Sequence, residues 1–133
     1  MTVFLLICIF LIILFNGMKK KSMFATRCKF VTVSINDNTY KLNNSEKRKM
    51  IELCEKNNWI SGKAEKFNIA DEVYREEYNM VVDFNNNIVK LYINTDTAQI
   101  KMNVYVSERE NNNYYIADED FIEFVNSLAA KAE

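Results

Sequence analysis

An unbroken apolar run opens the chain. Residues 3–15 read VFLLICIFLIILF and contain no polar or charged side chain. A helix of that length reaches about 20 Å, whereas the hydrocarbon core of a bilayer is about 30 Å thick. Counting all of residues 1–18, which carry no charged side chain, brings the helix close to a membrane span. The pattern therefore predicts an apolar N-terminal helix over residues 1–18 that anchors the chain in a membrane.

Positive charge follows this run and does not precede it. The basic residues nearest its end are Lys19, Lys20, Lys21, Arg27 and Lys29. A cleaved signal peptide normally has its positive charge before the apolar run and small residues after it. The positive-inside rule favours a single-pass anchor instead, with the basic stretch 19–29 beside the membrane and the C-terminal domain in the cytoplasm.

Two other interpretations of the N-terminus stay open at this point. A signal peptide that is cleaved would make the protein secreted or extracytoplasmic. If translation begins at Met18 or Met23, the apolar run is never made and the protein is soluble.

Strand-like alternation begins just after residue 30. Val31, Val33 and Ile35 alternate with polar residues, as a half-buried strand requires. Pairing Ile35 with Tyr40 leaves Asp37 and the residue after it as a two-residue turn. Asn and Asp both tolerate the positive φ that a type I′ hairpin turn needs.

A helix over about residues 44–57 follows this hairpin. Asn43 stands three positions before Glu46, which is the spacing of a capping box. The apolar residues that then recur at helical spacing are Met50, Ile51, Leu53 and Cys54. In the weakly patterned residues 59–77, we expect Trp59 and Ile60 to pack under the helix, a turn at Ser61 and Gly62, and a short helix over residues 70–77.

Three strands with regular alternation come next, and they predict a meander with one apolar face. The apolar positions are Tyr78, Met80, Val82, Phe84, Val89, Leu91, Ile93, Ala98, Ile100, Met102, Val104 and Val106. Placing Phe84 opposite Val89 makes Asp83 face Lys90 on the other side of the sheet. Placing Leu91 opposite Ile100 leaves residues 95–96 as the second turn.

The end of the chain predicts a polar loop, a short strand and a helix. The loop covers residues 107–113 and the edge strand covers residues 114–116. Acidic side chains at 118–120 are favourable at a helix N-terminus, and the apolar stripe of the helix is Phe121, Phe124, Val125, Leu128 and Ala132. The sequence thus predicts one α+β domain over residues 30–133. It has an antiparallel sheet, made of a hairpin, a three-stranded meander and a short edge strand, with two to three helices packed on it.

Composition narrows the classes of function. The chain has no histidine, which excludes histidine metal sites and Ser-His or Cys-His nucleophile pairs. Its only two glycines, Gly17 and Gly62, cannot form a glycine-rich phosphate loop. Three of the 17 basic residues lie in the first 22 positions, so residues 23–133 hold 14 basic and 18 acidic residues, a net charge of −4. An acidic domain is a poor match for a phosphate backbone, and we expect no nucleic-acid partner.

Candidate chemistry is sparse. Asp118, Glu119, Asp120 and Glu123 form the densest group of carboxylates, but they lack the spacing of a calcium loop and are explained by helix capping. Cys28 has basic neighbours that would lower its pKa, while Cys54 lies on an apolar stripe. We expect both thiols to be unpaired, with a disulfide as the alternative in an oxidising compartment. We expect no metal, no cofactor and no catalytic residues.

The aromatic side chains are the best candidates for a contact surface, because aromatic residues are enriched at interface hot spots. The candidates are Trp59, Tyr92, Tyr105, Tyr114 and Tyr115. The function expected from the sequence is a non-enzymatic, membrane-tethered binding module with a protein partner. The alternatives are a domain that binds or hydrolyses a small molecule through carboxylates and tyrosines, and a soluble protein that starts at Met18 or Met23.

Overall fold

The computed structural model describes residues 2–17, 22–56, 58–62 and 78–132. The helices within these residues are α1 (Thr2–Gly17), α2 (Asn44–Lys56) and α3 (Glu119–Ala132). The strands are β1 (Thr32–Ile35), β2 (Asn38–Lys41), β3 (Ile60–Gly62), β4 (Met80–Asp83), β5 (Val89–Asn94), β6 (Gln99–Val106) and β7 (Arg109–Ile116). The short helix predicted over residues 70–77 lies outside the described part of the chain.

The strands form one antiparallel sheet in the order β2-β1-β4-β5-β6-β7-β3. The predicted α+β class is confirmed, although the sheet has more strands than the sequence predicted. The hairpin β1–β2 joins the meander because β1 pairs along β4. At the opposite side of the sheet, the short strand β3 pairs with β7.

The first hairpin differs from its predicted register by two residues. Ile35 pairs with Asn38, so the two turn residues are Asn36 and Asp37, with φ values of 50° and 68°. Both are therefore left-handed, as a type I′ turn requires. A shift of two residues leaves every side chain on its predicted face, which is why the apolar pattern could not distinguish the two registers.

In the meander, the register of the first hairpin was predicted correctly and that of the second was not. Asp83 pairs with Lys90, as expected, and the ammonium and carboxylate lie 3.7 Å apart. In the next hairpin, Leu91 pairs with Met102 rather than with Ile100, which moves the register by two residues. The connection is a four-residue turn over residues 95–98, and Ala98 adopts a φ of 63° there.

The last strand of the meander, β7, is longer than the sequence predicted. The residues predicted as a polar loop form most of β7, which pairs with β6 along its whole length. Ser107 and Glu108 make the tight turn between the two strands, with φ values of 54° and 63°. The strand Ile60–Gly62 replaces the predicted turn, and it makes β7 an interior strand rather than an edge strand. Ile60 itself is 70% exposed instead of lying under α2.

One face of the sheet, which we call the inner face, carries the core. Its strand residues include Val33, Val82, Leu91 and Ile93, all with no measurable exposure. Helices α2 and α3 cover this face through the buried residues Met50, Leu53, Cys54, Phe121, Val125 and Leu128. These positions match the apolar stripes that the sequence predicted for both helices.

Local hydrogen bonds fix where α2 begins and how it meets α3. Asn43 Oδ1 accepts from the Glu46 backbone N–H at 2.8 Å, and Glu46 Oε1 accepts from the Asn43 backbone N–H at 3.0 Å. This reciprocal pair is the predicted capping box. The other carboxylate oxygen of Glu46 lies 3.2 Å from Lys131 Nζ, which ties the start of α2 to the last turn of α3.

The residues just before β1 also belong to the folded body. Phe24 is buried, and its ring lies 5.3 Å from the ring of Phe84. Asn86 is buried as well, and its amide Nδ2 donates to the backbone oxygens of Met23 and Thr26 at 2.8 and 3.0 Å. Met23, Phe24 and Thr26 are therefore held against the loop and strand end at residues 84–86.

Helix α1 has an apolar and exposed surface. Seven of its large apolar side chains between Val3 and Phe10 are 46–73% exposed. Among the described residues, no helix combines the length and the apolar character needed to cross a membrane. That finding does not support the single-pass anchor predicted over residues 1–18.

Candidate functional site

The sheet face opposite the core, which we call the outer face, is the surface from which a site can be built. Alternate residues of each strand point to it, and neither α2 nor α3 packs against it. Its central row runs across the strands through Thr32, Asp83, Lys90, Asn103 and Asn112. These side chains are polar and half-buried or exposed, so the outer face can make hydrogen bonds with a bound molecule.

A groove of about 830 Å³ lies on this face at the end where β4, β5 and β6 meet the loop over residues 85–88. Its main lining residues are Phe30, Asp83, Lys90, Tyr92, Tyr105 and Glu110. Aromatic walls with a few charged groups are typical of binding sites, which are usually roughly 300–1,000 Å³ in volume. The size and the lining both make this groove the candidate functional site.

The floor of the groove is held by hydrogen bonds between neighbouring strands. Asn103 Nδ2 donates to Glu110 Oε1 and, at 3.0 Å, to Asn112 Oδ1 on β7. On the other side, Asn85 Nδ2 donates to Thr32 Oγ1 at 3.1 Å. These contacts fix the polar groups of the groove before any ligand arrives, which lowers the entropy cost of binding.

The loop that closes one end of the groove is anchored from behind. The Asn86 side chain points inward, where its Oδ1 accepts from the backbone N–H groups of Ile88 and Val89 at 3.0 and 3.2 Å. Its neighbours Asn85 and Asn87 have φ values of 52° and 59° and face the groove. Asn tolerates this left-handed backbone better than most residues do. The loop is thus a defined wall of the groove.

The structure separates the five aromatic candidates into two groups. Tyr92, Tyr105 and Tyr114 lie on the outer face, and the first two line the groove. Trp59 is only 7% exposed, and its ring packs 5.7 Å from Tyr115 and 4.9 Å from Phe121.

Trp59 is therefore a core residue, and Tyr115 is a half-buried residue that packs against the core. The physical reason is the strand β3, which the sequence analysis did not predict. It places Trp59 at the junction of the sheet with α3.

Several residues that line the groove were not predicted from the sequence to belong to a binding site. Glu110 was missed because residues 107–113 carry no apolar alternation and were predicted to be a loop. Phe30 was missed because it precedes the first alternating strand. The facing pair of Asp83 and Lys90 was predicted, but only as a stabilising contact. Glu110 lies five positions after Tyr105 in the sequence, on the other side of a tight turn. Only the register of β6 and β7 shows that this spacing makes the two residues cross-strand partners.

The cysteine thiols lie outside the groove, and burial raises the pKa of two of them. Burial raises the pKa of the Cys54 thiol well above its ordinary value, with Glu55 and Asp118 adding to the effect. Burial also raises the pKa of Cys28 in spite of Lys47, which corrects the expectation that its basic neighbours lower that pKa. All three cysteines are free thiols, and no group of His, Cys, Asp or Glu within the described residues could hold a metal ion.

Comparison with known proteins adds no further constraint. No protein-family model, curated protein or solved structure matches this chain. The function must therefore be argued from the groove and the outer face themselves.

Proposed function

We propose that this protein is a non-enzymatic binding module that recognises a protein partner through the outer face of its sheet, with the groove as the centre of the interface. The observation that carries the proposal is the groove of about 830 Å³ on a sheet face that α2 and α3 leave open. Tyr105 stands at its edge and is 46% exposed. Exposed aromatic side chains beside polar groups are the composition from which interface hot spots are made.

The two faces of the sheet also differ in the kind of side chain that they carry. The inner face contains the buried apolar residues of the strands, and the outer face contains Tyr92, Tyr105 and Tyr114 among polar neighbours. Tyrosine offers a large contact area and a hydroxyl group with little loss of side-chain entropy on binding. A face built this way is suited to contact another protein.

The proposal includes attachment to a lipid bilayer through α1. Its exposed apolar side chains, among them Phe4, Leu6 and Phe10, are costly to leave in water. Exposed basic residues follow in the chain at Arg27 and Lys29, and each such charge favours anionic headgroups by about 1 kcal/mol. The attached domain would face the side of the membrane that the positive charges favour, which is the cytoplasm.

Site-specific photocrosslinking tests the binding face. A photoreactive amino acid replaces Tyr105 on the outer face or Glu123 on the exposed side of α3, and the full chain is expressed in its own cells. We expect an adduct of defined mass from position 105 that excess unlabelled chain competes away, and no such adduct from position 123. An adduct from position 123 alone would refute the assignment of the face.

Flotation with phosphatidylcholine–phosphatidylglycerol vesicles tests the membrane attachment. Changing Leu6→Lys and Phe10→Lys together should lower the vesicle-bound fraction at least about tenfold, because charged side chains resist burial in lipid. Ile60→Lys is the matched control, since Ile60 is an equally exposed apolar residue on the sheet. Equal flotation of both variants would show that α1 is not the attachment.

A further inference from the structure

The three aromatic rings of the groove differ in what lies over them. Lys41 Nζ lies 5.3 Å from the centre of the Phe30 ring, and Lys101 Nζ lies 5.2 Å from the centre of the Tyr92 ring. Both distances are within the range of a cation–π contact. No cation among the described residues lies over the Tyr105 ring, which is also the most exposed of the three.

The two carboxylates of the groove show the same contrast. Asp83 is paired with Lys90 at 3.7 Å. Glu110 has no basic side chain within ion-pair distance among the described residues; instead, one of its oxygens accepts a hydrogen bond from Asn103 Nδ2. That bond fixes the carboxylate in place, and none of the residues that the structure describes supplies a counter-charge for it.

Tyr105 and Glu110 are direct neighbours. They are register partners on the antiparallel strands β6 and β7, so their side chains leave the sheet on the same face. Side chains in such a pair have Cβ atoms about 5 Å apart. An aromatic ring beside an uncompensated carboxylate is an arrangement that attracts a cation, because both groups present negative potential to it.

We propose that the groove receives a basic side chain, arginine or lysine, from a peptide segment of the protein partner, held between the Tyr105 ring and the Glu110 carboxylate. This inference rests on the proposed function, and it names the chemistry of the partner. Of the acidic lining residues, Asp83 is paired with Lys90, so Glu110 is the one without an ion-pair partner among the described residues. The ammonium groups of Lys41 and Lys101 lie over the other two rings of the groove, which confines the negative potential to the Tyr105–Glu110 pair. The net charge of −4 on residues 23–133 also favours a cationic partner.

The size of the groove indicates a peptide segment and not a lone ion. A volume of about 830 Å³ exceeds the space that a single side chain fills, and the lining also includes the apolar Phe30 and Ile88. The residues flanking the basic side chain would contact these apolar side chains. The Tyr105–Glu110 pair therefore sets charge specificity, while the rest of the groove supplies contact area.

The test is a titration of the ¹⁵N-labelled full chain in detergent micelles, followed by NMR. The probes are Nα-acetyl-arginine amide and its neutral isostere Nα-acetyl-citrulline amide, with maltose as a neutral sugar. We expect the arginine probe to shift the amide signals of Tyr105, Glu110 and Lys90, and the citrulline probe to bind at least about fivefold more weakly. Raising the ionic strength should weaken only the binding of the arginine probe.

Two variants of the full chain locate the effect. Glu110→Gln should weaken binding of the arginine probe about five- to tenfold, and Tyr105→Leu should weaken it about fivefold. Glu108→Gln is the matched control: it removes the same charge from an exposed carboxylate in the β6–β7 turn that does not line the groove. It should leave the affinity within about twofold.

The outcomes separate this inference from the proposed function. Equal binding of the two probes, or an equal effect of Glu108→Gln and Glu110→Gln, overturns the assignment of a basic side chain. If maltose alone shifts the groove signals, the groove remains a binding site and the cation assignment fails. If no probe shifts them and position 105 gives no crosslink, both proposals fail.

Discussion

The two faces of the sheet are made by alternate residues of the same strands, yet they differ in almost every physical property. On β5, Leu91 and Ile93 are completely buried under the helices, whereas Lys90 and Tyr92, which alternate with them, are half-buried on the outer face. The buried residues are apolar and serve stability. The outer residues are aromatic or polar, and they pair mainly with one another through contacts that water weakens. The difference teaches that alternation lets one strand supply buried residues to the core and polar or aromatic residues to an open face independently.

The largest effect on stability is expected from removing an aromatic side chain of the core. Phe121→Ala on α3 should lower the free energy of unfolding by about 3–5 kcal/mol, because it creates a cavity beneath the sheet. Tyr105→Ala on the outer face is the control, and it should cost about 1 kcal/mol or less. Urea unfolding followed by circular dichroism measures both. Similar losses for the two variants would break the comparison.

The next test concerns the buried amide that fixes the groove loop. Asn86→Ala should cost about 2 kcal/mol, because it removes the hydrogen bonds that Asn86 makes to the Met23 backbone oxygen and to the buried backbone N–H of Val89. Asn111→Ala, on the exposed part of β7, should change stability by no more than about 0.5 kcal/mol. If the two asparagines proved equally dispensable in urea unfolding, Asn86 would have no role in holding the loop.

The junction of α2 and α3 should make stability depend on pH. The hydrogen bond from the Asn43 backbone N–H is the largest cause that lowers the pKa of Glu46, and Lys131 lowers it further. A carboxylate with a lowered pKa in the folded state stabilises the fold fully above its unfolded pKa of about 4.3. That contribution is lost as the pH falls through the lower folded pKa. Glu46→Gln should reduce this acid loss and change stability at pH 7 by about 1 kcal/mol or less.

Thermal melts of the wild type and of Glu46→Gln between pH 7 and pH 2 measure how much stability each protein loses in acid. Glu52→Gln is a suitable control, since Glu52 lies on the same helix in an exposed pair with Lys56 at 3.8 Å. Stability profiles of the wild type and Glu46→Gln that run parallel through the acid range would show that Glu46 is not the group responsible.

The smallest expected effect belongs to the outer face itself. A double-mutant cycle on Asp83 and Lys90, with each changed to Ala, should give a coupling energy of a few tenths of a kcal/mol, because the pair is half exposed. A coupling above about 2 kcal/mol would mean that the outer face contributes to folding as the core does.

What could be foreseen from the sequence follows from the same alternation. The apolar stripes of α2 and α3, the capping box of Asn43 and Glu46, and the facing of Asp83 and Lys90 were all predicted, because each depends on spacing within a short stretch. Two hairpin registers were wrong by two residues. A register shift of two residues leaves each side chain on the same face of the sheet, so the apolar pattern does not reveal it. Only the backbone preferences of the turn residues could have corrected the two registers.

The rest depended on interactions that local patterns do not contain. The first part of β7 is exposed on both faces, so it has no apolar alternation to indicate a strand. The pairing of β1 with β4 and of β3 with β7 joins distant parts of the chain. The groove depends on the pairing of β1 with β4 and on the register of β6 and β7, and this is why the tyrosines could be proposed as contacts while Phe30 and Glu110 could not.

The claim that the outer face is the contact surface is tested most directly by hydroxyl-radical footprinting of the full chain. Oxidation of Tyr105 is compared between the purified protein and the protein in an extract of its native cells, with exposed Ile60 as the internal reference. The account predicts that the ratio of Tyr105 to Ile60 oxidation falls several-fold in the extract, because a partner covers the groove. An unchanged ratio, with protection appearing on the exposed sides of α2 or α3, would contradict it.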